Sequence, residues 1–66
     1  MHAREIVRVF PVRTGWVVSS RGGSLQQRYQ EKDEAEEQGR RIAQSHRPST
    51  LMVLTPDGEI EYEVKF

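Results

Sequence analysis

A chain of 66 residues with 35% hydrophobic residues and a mean hydropathy of −0.76 has material for one thin core. A single small domain is therefore expected, near the lower size at which a chain folds alone and open to help from oligomerisation. The lack of cysteine excludes disulfides and thiolate metal sites, and ten bases balance ten acids, so no strongly charged partner is implied by net charge.

The first segment, residues 4–12, has the β-branched and aromatic content of a strand, with Ile6, Val7, Val9 and Phe10. Apolar residues fall on both parities, which leaves its buried face open. Pro11 lacks a ladder donor and closes the strand or marks a sheet edge. Arg13-Thr14-Gly15 supplies a turn into a second strand, about 16–20, with Trp16 and Val18 on one side and Val17 and Ser19 on the other. Arg21-Gly22-Gly23-Ser24 reads as a hairpin connection, and Leu25, Gln27 and Tyr29 alternate with Gln26 and Arg28 in a third, half-buried strand, about 24–29.

The spacing predicts one helix, about 32–46, in which Ala35, Gly39, Ile42, Ala43 and His46 share a narrow, small-residue face. Either Glu31 or Asp33 caps it. Glu36 with Arg40 and Glu37 with Arg41 are i,i+4 pairs, each stabilising by about 0.2–0.5 kcal/mol. Pro48 stops the helix. A strand at about 50–55, the turn Pro56-Asp57-Gly58 and a strand at about 59–65 complete the chain. Pairing Thr55 with Glu59 across a Gly bulge would set Leu54 against Ile60 and Met52 against Tyr62, under the helix. Leu51 and Val53 would then lie on the opposite face with Val17, Glu61 and Glu63. The expected architecture is α+β, β-β-β-α-β-β, a mainly antiparallel sheet with a single helix packed on one face. Strand order is open: the last strand beside the first, or the hairpin extending the third.

Val9-Phe10-Pro11, a turn and then Gly15 before Trp16 and Val18, followed by Tyr29, Lys32-Asp33-Glu34-Ala35, Arg40-Arg41-Ile42-Ala43, Leu51-Met52-Val53 and Asp57-Gly58-Glu59-Ile60, form an ordered set of landmarks. In that order they resemble a family of small bacterial domains known as domain of unknown function 2188, over residues 8 to about 62. Glu31 stands where that family usually has a Thr cap, and Gly39 where it usually has Ala. The resemblance implies the same β-β-β-α-β-β domain and supplies no activity and no catalytic residues.

The residues themselves point away from catalysis. His2 lies at the terminus and His46 at the helix end, with no further ligands spaced to converge on a metal. The comb of Glu59, Glu61 and Glu63 reads as a solvated face or a charged edge. No enzyme activity, cofactor, metal or small-molecule substrate is expected. No apolar run approaches the roughly 20 residues of a membrane span and no signal-like region follows Met1, so a cytoplasmic protein without membrane partners is expected.

Charge is uneven: residues 1–28 carry five arginines against one glutamate, and residues 29–66 five bases against nine acids. Two functions from different classes follow. The preferred one is a protein-interaction module, homodimeric through the uncovered sheet face or an edge, with Val17, Leu51, Val53, Glu61 and Glu63 as contact residues. The alternative is nucleic-acid binding by a basic three-strand sheet bearing Arg4, Arg8, Arg13, Arg21 and Arg28 beside Phe10, Trp16 and Tyr29. A pI near 6.7 is low for that alternative.

Overall fold

The computed structural model describes residues 4–66; His2 lies outside them. Five strands, β1 (Glu5–Val12), β2 (Gly15–Ser20), β3 (Leu25–Tyr29), β4 (Ser49–Leu54) and β5 (Ile60–Lys65), form one mixed sheet in the order β3-β2-β1-β4-β5. Helix α1 (Lys32–Ser45) connects β3 to β4. Neighbouring strands run antiparallel except β1 and β4, which are parallel. Neither sequence-derived strand order is found: the closing hairpin joins the first strand through β4, and β5 is the far edge. A parallel pair needs a long crossover rather than a tight turn, and α1 is that crossover, carrying the chain from the β3 edge over the sheet to β4.

The helix lies close because its inner face is nearly bare. Ala35, Gly39 and Ala43 are buried. A Cβ on Gly39 would sit 2.9 Å from Val9 Cγ2 and 3.0 Å from Leu51 Cδ1, so only hydrogen fits between helix and sheet. Val7, Val9, Val18, Leu51 and Val53 complete the core, and Trp16, Tyr29, Ile42, Tyr62 and Phe66 pack around it. His46 does not join the inner face; it is exposed, with Nδ1 2.9 Å from the Ile42 carbonyl oxygen at the helix end. Glu31 occupies the N-cap without a side-chain capping bond. Of the two expected helix pairs, Glu37 meets Arg41 at 3.4 Å, whereas Glu36 turns inward and accepts a hydrogen bond from the Tyr62 hydroxyl.

The two chain ends of the sheet are tied together. Ser49 and Phe66 exchange backbone hydrogen bonds of 3.2 and 2.8 Å, Arg4 Nη1 donates to both of their carbonyl oxygens, and Ser49 Oγ donates to the Ala43 carbonyl at the helix end.

The β4–β5 turn forms as expected. Gly58 N–H donates to Thr55 at 2.9 Å, Thr55 N–H donates to Glu59 at 2.8 Å, and Gly58 takes the left-handed φ of 86°. Beyond it the register departs from the simple count. Leu54 pairs with Ile60 but Val53 pairs with Tyr62, so β5 contains one extra residue, Glu61, in a bulge. That extra residue inverts the parity of everything after it. Met52 faces Glu63, not Tyr62, while Leu51 pairs with Val64. Leu51 and Val53, expected on the uncovered face, are 0% exposed beneath the helix, and Met52 and Leu54 take their place outside.

Candidate docking surface

Side chains of paired residues project to the same side of a sheet, and successive residues alternate. Since Val7, Val9, Leu51 and Val53 face the helix, Ile6, Arg8, Phe10, Met52 and Leu54 face away from it. The pairings arrange the uncovered face in rows. One row runs Gln26, Ser19, Arg8, Met52, Glu63 from β3 to β5. The next runs Arg28, Val17, Phe10, Leu54, Ile60, with Phe10 and Leu54 following the Val9–Val53 pair. Ile60 is 52% exposed and Val12, at the end of β1, 38%. Phe10, Val17, Met52 and Leu54 are half-buried. Among the described residues no helix covers them. The second row is thus apolar across four strands, and the first places a base and an acid on either side of Met52.

Of the contact residues expected from sequence, Val17 and Glu63 lie on this face. Leu51 and Val53 belong to the core on the other side. Glu61 also leaves the set: the bulge turns it toward the helix, where its carboxylate meets Lys32 Nζ at 2.8 Å. Met52, Leu54 and Ile60 are the uncovered-face residues that sequence reasoning missed. The signal was present in Thr50–Leu54, apolar on both parities, but choosing between parities required the bulge.

The five arginines do not converge. Arg8 and Arg28 share the uncovered face, with Arg28 Nη1 donating to Thr14 Oγ1. Arg4 is bound to the Ser49 and Phe66 carbonyls. Arg13 sits in the β1–β2 turn and Arg21 in the 3-10 turn Arg21–Gly23, at opposite ends of β2. Trp16 and Tyr29, the intended stacking residues, pack against the core on the helix side. A basic stacking platform is not assembled on one face.

The helix side carries a polar cluster. Lys32 Nζ lies 5.4 Å from the Trp16 ring centroid while bonded to Glu61. That bond raises the Lys32 pKa above its usual 10.5. Burial, aided by the hydrogen bond to Glu36, pushes the Tyr62 phenol up from 10.0 to about 12. Both shifts hold the groups in the protonation states they already have near neutral pH, which suits structure rather than proton transfer. A shallow trough of about 270 Å³ beside the helix is lined by Val18, Ser20, Leu25, Gln27, Gln38 and Ile42, with no ionisable group among them. Among the described residues no three His, Asp or Glu side chains converge to hold a metal, and no helix is long and apolar enough to cross a membrane.

No curated protein and no solved structure matches the chain. The sequence profile of one bacterial family, described as "uncharacterized protein conserved in bacteria (DUF2188)", matches residues 7–64. With nearly the whole domain matched, from Val7 of β1 to Val64 of β5, the chain belongs to that family.

Proposed function

We propose that this protein is a small, non-enzymatic protein-docking module whose contact surface is the uncovered face of its sheet. The observation that carries the reading is the apolar row Val17, Phe10, Leu54, Ile60, flanked by Met52 and Val12, which no element among the described residues covers. A contiguous apolar patch rimmed by charge is the usual mark of a protein contact. The face is favoured over the edges. The outer edge at β5 carries Glu59, Glu61, Glu63 and Lys65, and charges of that density discourage strand addition.

The test is a photocrosslinking residue placed at Phe10 or, as a control, at Gln44 on the outer helix face, in the full chain expressed in its native cell. Protein adducts from position 10 with few from position 44 are expected. Equal labelling from both positions, or none from position 10, contradicts the reading. Arg8, Arg28 and Gln26 on the same face sustain a second reading, nucleic-acid contact. Nuclease-sensitive adducts at position 10, with binding that weakens steeply as salt rises, would replace the first reading by the second.

A further inference from the structure

We infer that the occupant of the uncovered face is a second copy of this chain, related by a twofold axis running along β4; the inference rests on the docking reading above. Such an axis keeps each row in place and exchanges β1 with β5. Arg8 and Glu63 flank Met52 in one row, Arg8 on β1 and Glu63 on β5. The rotation therefore sets Arg8 of each copy over Glu63 of the other, twice, with Met52 meeting its own image between them. In the next row Phe10 of each copy falls on Ile60 of the other, and Leu54 meets Leu54. The opposite charges and the apolar groups are thus matched by one operation.

Charge also discriminates between axes. A twofold along β1, the central strand, would set Arg8 upon Arg8 and leave Glu63 facing Gln26. Like charges so placed oppose association and cost specificity for that arrangement. An isologous contact requires a surface complementary to itself, and about the β4 axis Arg8 is matched by Glu63 and Phe10 by Ile60. Stacked sheets lie about 10 Å apart, a gap that an arginine and a glutamate span together.

Sedimentation equilibrium over a dilution series from about 1 µM to about 1 mM tests this, spanning the affinities of weak to moderate dimers. The wild-type chain is expected to dimerise. R8E alone and E63R alone are each expected to weaken dimerisation at least tenfold, because each brings like charges together twice. Mixing the two variants is expected to restore it, since every cross-pair in the mixed dimer again joins opposite charges. The doubly substituted R8E/E63R chain should dimerise by itself. Both side chains are exposed, and recovery in the mixture itself requires that both variants fold. A wild-type monomer at about 1 mM, variants that dimerise like the wild type, or a mixture and a double variant that stay monomeric would each overturn the inference. A monomer whose position-10 crosslinks go to a different protein overturns the second copy and leaves the docking reading standing; a monomer without such crosslinks ends both.

Discussion

Leu51 and Met52 are consecutive residues of one strand, yet they belong to surfaces with opposite fates. On the helix side the sheet presents valines and a leucine to a helix stripped to Ala, Gly and Ala, and the contact is closed to water: Val7, Val9, Leu51 and Val53 are all 0% exposed. On the other side Phe10, Val17, Met52 and Leu54 carry as much hydrocarbon and are only half-buried. The difference does not come from composition. It comes from a single helix, which can cover one face of a five-strand layer and no more. Among the described residues the second face has no covering element.

The comparison can be broken most forcefully by truncation. Leu51→Ala should cost about 3 kcal/mol in urea unfolding, within the range for large-to-small core changes, whereas Met52→Ala at high dilution should cost less than about 1 kcal/mol. Equal costs would mean that the outer face is as much a part of the folded core as the inner one.

Gly39→Ala sharpens the same contrast. The methyl improves helix propensity by about 1 kcal/mol but meets Val9 Cγ2 at 2.9 Å. Val9 is β-branched and stiff, so overpacking should win and the variant should lose about 1 kcal/mol net. A stabilised variant would show that helix and sheet are not pressed together.

The alkaline limb of the stability profile reports the helix-side cluster. A phenol with an ordinary value of 10.0, held at about 12 in the fold, contributes stability fully below pH 10 that is lost as pH rises through about 12. Lys32, raised by Glu61, acts in the same direction. Stability should therefore decline above pH 10, and Tyr62→Phe should flatten that decline; an unchanged slope would remove Tyr62 from the explanation. The smallest effect is expected from deleting Glu61. Loss of the bulge residue lets β5 pair with β4 without interruption while every other side chain keeps its face. The cost should be the least of these, chiefly the loss of the solvent-screened Lys32 bridge.

That bulge also marks where reading the residues stops. The helix was legible from the spacing of Ala35, Gly39 and Ala43, and the last turn from Pro56-Asp57-Gly58, because both are local signals. The parallel β1–β4 pair was not, since strand order depends on contacts between distant residues that leave no local mark. The parity of β4 failed for a narrower reason. Bulges often carry Gly, but this one is built on Glu61 within an unbroken alternation, so the pattern Ile60, Tyr62, Val64 looked like one face when Ile60 lies on the other. Hence Val17 and Glu63 were placed correctly, and Leu51, Val53 and Glu61 were not. His46 and Glu36 failed through side-chain choices, a ring turned back to a carbonyl and a carboxylate drawn to Tyr62, which residue type does not determine.

The most direct measurement compares the two neighbours in one experiment: the methyl resonances of Met52 and Leu51, followed on dilution in the presence of a soluble paramagnetic agent. A second copy docked on the outer face predicts that Met52 is shielded when concentrated and becomes strongly relaxed when dilute, while Leu51 stays shielded throughout. A Met52 signal equally relaxed at every concentration, or a Leu51 signal that responds as Met52 does, would contradict it.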